Sequence, residues 1–253
     1  VGRRSARQAE GRFVVEGAKV LGEALAAGVA VESVYVDRSL IRGEGVEAIL
    51  DAAHAAGSRI YDVEAGVVAR VAGTVTPQPL LAVVPAVDVP LSHLLDQKAD
   101  LVVVCVDVRD PGNAGTVLRS AEAAGAGGVI CCDGSVDVFN PKTVRASAGA
   151  VFHVPVVAGG DPDTVLDELG RAGLRRLGTV ARGGVAYTDV DMSGPVAIVL
   201  GNEAHGLSPG VESHLDGAIT IPMVGRAESL NVGMAAAIIC FEAVRQRGHG
   251  GER

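Results

Sequence analysis

The stretch LVVVCVDVRDPGNAGTVLRS, Leu101–Ser120, decides the fold. Its first seven residues, Leu101–Asp107, form a continuous apolar run closed by one carboxylate. A strand that faced water on one side would alternate, so this one is expected to be buried on both faces. Gly112 and Gly115 permit tight backbone geometry after it, and Asn113 is placed to cap a helix. Val117, Leu118, Ala121 and Ala124 then recur on one side of that helix. A doubly buried strand feeding a polar loop and an amphipathic helix is the repeating half of a parallel sheet covered on both faces.

The same grammar continues toward the C-terminus. Gly128–Cys132 (GVICC) reads as the next strand, and Pro141 opens a helix at a favoured first-turn position. Further strands are expected at Leu174–Val180, Val196–Leu200 and Ala218–Ile221. A long final helix, roughly residues 230–247, carries Leu230, Met234, Ile238, Phe241 and Val244 as its core-facing stripe. Toward the N-terminus, residues 17–27 (GAKVLGEALAA) read as a helix and Val31–Val36 as a strand. A helix through Val46, Ile49, Leu50 and Ala53 follows, then a strand at Ser58–Val63 and a helix near Glu64–Val71. The breakers Gly73, Pro77 and Pro79 precede a strand at Leu80–Val84, and Pro85, Pro90 and the polar residues up to Lys98 read as a linker. The expected organisation is α/β throughout: a small α/β domain over residues 1–90 and a parallel-sheet α/β domain over residues 98–253. No internal repeat or low-complexity tract is present.

Composition narrows the function. The chain has 253 residues, 48% of them hydrophobic, enough for a sizeable core. No apolar run approaches the roughly 20 residues that span a bilayer, so no membrane association is expected and the location is expected to be cytoplasmic. The chain begins at Val1 rather than Met, which leaves room for a short preceding start. Cys105, Cys131, Cys132 and Cys240 all lie in apolar runs without a C-x-x-C pair and read as small buried hydrophobes of a reducing compartment. The six histidines show no metal-ligand spacing, so no metal is expected. A net charge of −8 argues against a protein that coats nucleic acid non-specifically. A local basic face remains open: Arg3, Arg4, Arg7 and Arg12 crowd the start, although on charge alone they read as a solvated terminus.

Three loops at expected strand ends concentrate Gly, Asn, Ser and charge, and ligands of open α/β sheets bind at the carboxyl ends of strands. The first is Asp107–Arg119. The second is LGNEAHGLS, Leu200–Ser208, in which Gly201 and Gly206 allow close backbone approach and Glu203 places a carboxylate on a turn. The third is IPMVGRAESLNVGMAAA, Ile221–Ala237, where Ser229 is placed to cap the final helix and Asn231 to sit in its first turn. Each loop alone also has a purely structural reading. There is no G-x-G-x-x-G after a strand and no P-loop Lys-Ser/Thr pair, so neither a dinucleotide site nor nucleotide hydrolysis is supported.

Together, in this order, the loops resemble one family. N-x-G-x-x-x-R-S-A at Asn113–Ala121, L-G-N-E-x-x-G-L at Leu200–Leu207 and I-P-M…S-L-N-V at Ile221–Val232 are similar to the three signature motifs of SpoU/TrmH RNA methyltransferases. N-P-K-T-V-R-A-S-A-G-A-V-F, Asn140–Phe152, adds a fourth block. FVVEGAKVLGEAL and TPQPLLAVV carry a weaker resemblance to the small RNA-recognising domain related to ribosomal L30e/L7Ae proteins.

The resemblance implies S-adenosylmethionine-dependent methylation of a ribose 2′-hydroxyl in structured RNA, with ribosomal RNA favoured over tRNA. It also implies a deep trefoil knot in the C-terminal domain and a homodimer whose subunits share catalytic and RNA-binding residues. Asn113, Arg119, Glu203, Ser229 and Asn231 match the catalytic constellation, with Arg119 clamping a phosphate and stabilising the alkoxide because guanidinium stays protonated. Thr179, Gly201, Ile221 and Leu230 match donor-binding positions, and Arg145 a phosphate or ribose contact that would join Arg3, Arg4, Arg7 and Arg12 in an RNA-binding face. The alternatives are tRNA ribose or base methylation by a related knotted enzyme, distinguished by the product nucleoside, and a non-catalytic RNA-binding or assembly protein. Loss of Arg119 or of the third motif would favour the last, and both are intact.

Overall fold

A computed structural model describes residues 3–42, 45–72 and 76–248; the Gly73 breaker lies outside them. The chain divides into two units, Val1–Val87 with Phe139–His153, and Asp88–Val138 with Val154–Arg253.

The first unit begins with α1 (Arg4–Glu10), β1 (Arg12–Glu16) and α2 (Ala18–Ala26), followed by β2 (Ser33–Val36), α3 (Val46–Ala55), β3 (Arg59–Asp62), α4 (Val67–Ala72) and β4 (Leu80–Pro85). Its sheet runs β1-β4-β2-β3, with β4 antiparallel to both β1 and β2 and β3 parallel to β2 at the edge. Phe13, Val15, Val34, Val36, Ala82 and Val84 share one face by strand periodicity and are almost fully buried. The Arg-rich start is not a frayed terminus: it is the helix α1, and Arg7 is buried. Gly11 ends that helix in the left-handed region at φ 60°, its N–H returning to the Arg7 carbonyl.

The second unit holds α5 (Leu91–Asp96), β5 (Leu101–Cys105), α6 (Pro111–Ala123) and β6 (Gly128–Cys131). After α7 (Pro141–Ala146), which belongs to the first unit, it continues with β7 (Val156–Ala158), α8 (Pro162–Arg171), β8 (Arg175–Thr179) and β9 (Val185–Ala186). It closes with β10 (Val196–Leu200), α9 (Pro209–Glu212), β11 (Gly217–Thr220) and α10 (Val232–Gln246). Seven strands form one sheet in the order β7-β6-β5-β10-β8-β11-β9, every pair parallel. Every residue of β5, β6 and β10 is buried, as their unbroken apolar runs require. Asp110, Asp161 and Ser208 cap α6, α8 and α9, each with proline next at the first helical position, so each helix start is fixed by two adjacent residues.

Residues 139–153, read from sequence as part of the second block, pack within the first unit. Phe13 stacks on Phe139 with ring centroids 4.7 Å apart and on Phe152 at 6.0 Å. Arg145 pairs with the buried carboxylate of Glu16, which also accepts the Gln78 N–H at 3.2 Å. A buried charge needs such partners, and Arg145 supplies the counter-charge here. His153 Nε2 lies 2.9 Å from Glu23, and Gly149, at φ 103°, leaves no room for a Cβ beside that same Glu23 side chain.

The final helix departs from its expected phase. Gly233, Ala236, Ile239, Cys240 and Ala243 are buried, whereas Met234 is 60% and Phe241 50% exposed. Small residues predominate in the buried stripe because α10 lies close on α6: a Cβ at Gly233 would stand 2.7 Å from the Thr116 Cβ.

Candidate functional site

The loops after β5, β10 and β11 meet at the carboxyl ends of the parallel strands, and three side chains lock them together. Glu203, on the turn after β10, directs its carboxylate at the start of α6. Its Oε2 accepts the Arg109 N–H at 3.2 Å, and its Oε1 accepts the Asp110 N–H at 3.1 Å and the Asn113 side-chain N–H at 2.9 Å. A carboxylate only accepts, so Asn113 must present its nitrogen there and its oxygen away. That oxygen accepts from the Asn231 side chain at 2.6 Å. The Asn231 oxygen in turn caps α10, accepting from the N–H groups of Gly233 at 2.9 Å and Met234 at 3.3 Å. Both asparagines thereby have fixed orientations. Burial pushes the Glu203 carboxyl up, but the hydrogen bonds from Asn113, its own backbone, Asp110 and Arg109 outweigh it and hold the group below its ordinary value.

The turn carrying Glu203 is itself braced. Asn202 and Gly206 exchange backbone hydrogen bonds at 3.0 and 2.9 Å, closing the loop on itself. The Asn202 side chain accepts from the Ala204 and His205 N–H groups and donates to the Asp107 carbonyl at 3.0 Å and carboxylate at 3.1 Å. Asp107 is held at φ 56°, a conformation uncommon for a non-glycine residue and typical of sites where the surrounding structure imposes it.

These loops and the end of β8 enclose a cavity of about 750 Å³, within the usual range for small-molecule sites. Thr179, Gly201, Ile221, Leu230, Ala235 and Ile239 line it, as do Asn113, Glu203, Ser229 and Asn231. Arg182 and Glu228 also line it, 3.9 Å apart and largely exposed. The four cysteines are buried, burial pushes Cys132 and Cys240 up to about 12, and none borders the cavity, so none serves as a nucleophile there. Among the described residues no cluster of three or more His, Cys, Asp or Glu is placed to hold a metal, and no helix is long and apolar enough to cross a membrane.

Residues 100–241 match the sequence profile of the SpoU rRNA Methylase family. The chain belongs to that family. Residues 2–82 of this SpoU protein match the MRM3-like substrate binding domain. It is 34% identical over 233 residues to the 23S rRNA (guanosine(2553)-2′-O)-methyltransferase RlmP of Bacillus subtilis, covering 90% of this chain and 87% of that one. Among solved structures, it is similar to the AdoMet-bound rRNA methyltransferase from Sinorhizobium meliloti, with 30% identity, a TM-score of 0.84 and coverage of 99% and 92%. The SpoU methyltransferase AviRb from Streptomyces viridochromogenes, in complex with AdoMet, shares 31% identity at a TM-score of 0.83, covering 98% of this chain and 96% of that one.

Of the residues singled out in the SpoU motifs, Asn113, Glu203, Ser229 and Asn231 come together at the cavity, as do Thr179, Gly201, Ile221 and Leu230. Arg119 does not join them; it lies exposed on α6, outside the cavity lining. Two capping roles shift: Asp110, not Asn113, caps α6, and Asn231, not Ser229, caps α10. Gly201 is explained by its own loop rather than by a ligand, since a Cβ there would meet Gly206 C at 2.5 Å and Leu207 N at 2.7 Å. The five arginines expected on an RNA face are differently disposed. Arg3 and Arg4 are exposed and Arg7 is buried, while Arg12 pairs with Glu32 at 2.7 Å and Arg145 with Glu16. Asn202 and Asp107 were not singled out from sequence; the only signal was their place beside Glu203 and at the end of β5.

Proposed function

We propose that this SpoU protein transfers a methyl group from S-adenosylmethionine to a ribose 2′-hydroxyl of ribosomal RNA. The observation that carries this reading is the Glu203–Asn113–Asn231 chain of hydrogen bonds, which joins all three family motifs around one cavity. The RlmP relative is named for 2′-O-methylation of 23S rRNA, and two solved neighbours hold AdoMet. A cavity of about 750 Å³ with apolar Ile221, Leu230 and Ile239 beside polar loop backbone fits a nucleoside donor of that size and mixed character. Thr179, Ile221 and Leu230 would hold it, and its sulfonium supplies an electrophilic methyl.

The chain's own task is then to place and polarise a hydroxyl. Positioning supplies much of the rate in a displacement of this kind. Asn113 and Asn231 have no acid–base chemistry, and Glu203, held below its ordinary carboxyl value, is a weaker base than usual. These three fix the loops. The charge on the developing alkoxide falls to Arg119, whose guanidinium suits a phosphate or oxyanion through its planar fork. Because Arg119 lies outside its own cavity, it serves the site of a second copy. Met234 and Phe241, exposed on α10, supply an apolar contact for a two-fold dimer.

The remaining parts follow the same reading. Residues 1–90 select the RNA in an L30e-like fold, and residues 98–253 form the methyltransferase apart from 139–153, which pack within the first unit. A trefoil knot is supported by β10 lying between β5 and β8, with Asn231 at the head of α10 bonded to Asn113 of α6. A ribosomal RNA substrate supports a cytoplasmic location. Calorimetry with S-adenosylmethionine tests the donor: micromolar-range binding that Ile221→Ala or Leu230→Ala weakens by about 1–2 kcal/mol of lost apolar contact supports it, and unchanged binding in both variants contradicts it.

A further inference from the structure

We propose that the stacked pair Tyr35–Tyr61 is a platform on which an unpaired RNA base stacks, with Arg59 beside it as the phosphate contact. The inference rests on RNA as the substrate. The rings lie 5.3 Å apart between centroids and 19° from parallel. They are register partners on β2 and β3, so both stand on the same side of the sheet.

Their surroundings give the stack a direction. Tyr35 is flanked on its other side by Leu81 of β4, which is buried. Among the described residues β3 is the edge strand, so there the row Leu81–Tyr35–Tyr61 ends at Tyr61. Tyr35 is 36% and Tyr61 42% exposed, in a chain with only three tyrosines and no tryptophan. A flat aromatic group placed against Tyr61 continues the row, and a nucleobase presents such a face whatever its sequence. Arg59 precedes Tyr61 by two residues on the same strand, which puts it on the same face, exposed, at the spacing of the next residue pair. Single-stranded RNA is recognised by this combination of aromatic faces and a neighbouring cation.

Tyrosine emission reads the platform directly, since the pair makes up two of the three fluorophores and no tryptophan masks them. Titrating the whole protein with a ten-nucleotide oligoadenylate should quench that emission saturably. Tyr61→Leu should weaken binding on the order of tenfold to a hundredfold, whereas Tyr61→Phe, which keeps the ring, should bind as wild type. Absence of quenching in the wild type, wild-type binding by Tyr61→Leu and Tyr35→Leu, or equal loss in Tyr61→Phe overturns the proposal. Methyl transfer to ribosomal RNA is measured alongside. A raised KM with unchanged kcat in Tyr61→Leu supports the platform, and an unchanged KM overturns it while leaving the enzyme reading intact. Failure of the wild type to methylate RNA strikes the enzyme reading instead, which separates the two.

Discussion

Asn231 donates its side-chain N–H to Asn113 Oδ1 at 2.6 Å, tying the head of α10 to the first turn of α6. Asn113 passes the constraint to Glu203, so a displacement of any of the three loops is felt by the other two.

Asn113→Asp reverses one end of this chain while keeping the other. The new carboxylate still accepts from Asn231 but faces Glu203 without a proton to donate. At neutral pH the variant should lose about 1–3 kcal/mol of stability, more than Asn113→Ala, and most of its turnover. Urea unfolding at pH 7 and near pH 4 checks the cause: protonation of one carboxylate should recover part of the loss in Asn113→Asp and none in Asn113→Ala.

Glu242 carries a second acid-sensitive contact, on the opposite end of α10. Hydrogen bonds from Arg245 at 2.7 and 2.8 Å and from Gln246 at 2.8 Å lower its carboxyl from 4.5 to about 2. A group depressed on folding stabilises the protein above its unfolded value and loses that contribution as the pH falls toward its folded value. Thermal melts of wild type and Glu242→Gln should therefore differ by a constant amount above about pH 5 and converge between 4.5 and about 2. A gap that persists to pH 2 assigns the stabilisation to shape rather than charge.

Arg145 is expected to matter for stability before it matters for RNA. Removing it takes one ion-pair partner from the buried Glu16 carboxylate, so Arg145→Ala should cost about 1–3 kcal/mol in urea unfolding. Glu16→Gln should change stability by a different amount in the Arg145→Ala background than in the wild type, because the two groups interact directly. Strict additivity of the two changes would show that the pair is not coupled.

Much of the second unit was legible because its strands are written as unbroken apolar runs: Val196–Leu200 and Leu101–Cys105 appear where expected. The helix starts carry a local signal. Asp110-Pro111, Asp161-Pro162 and Ser208-Pro209 each mark a cap followed by a first-turn proline, as does Asn140-Pro141 in the first unit. The phase of α10 was not legible. Hydropathy ranks Met234 and Phe241 above Gly233 and Ala236, yet close packing on α6 selects the small residues for the core. The site was legible as three motifs but not as a hydrogen-bonded chain, since nothing local to Glu203 announces a partner 90 residues away. The same holds for Phe139 and Arg145, whose partners lie more than a hundred residues earlier.

Arg119 acting on a second copy has a complementation test. Arg119→Ala should fold and bind donor normally while losing on the order of a hundredfold to a thousandfold in turnover. Arg119→Lys, which keeps charge but not the planar fork, should remain badly impaired. Mixing Arg119→Ala with a cavity-blocked Leu230→Arg chain, each inactive alone, should restore activity to about a quarter of wild type, since half of randomly paired dimers then hold one intact composite site. Phe241→Arg should abolish that rescue and give a monomer by light scattering. Rescue that never exceeds the sum of the parents places Arg119 in its own site or outside the mechanism.

The central claim is that the methyl reaches a ribose oxygen of ribosomal RNA. The direct measurement incubates the protein with tritiated S-adenosylmethionine and unmodified 23S ribosomal RNA, then digests the product to nucleosides and maps the labelled position by its resistance to alkaline cleavage. The account predicts label in a single 2′-O-methylated nucleoside, lost with Asn231→Ala and Arg119→Ala. Label on a base, label confined to tRNA, or no transfer by a folded, donor-binding protein would contradict it.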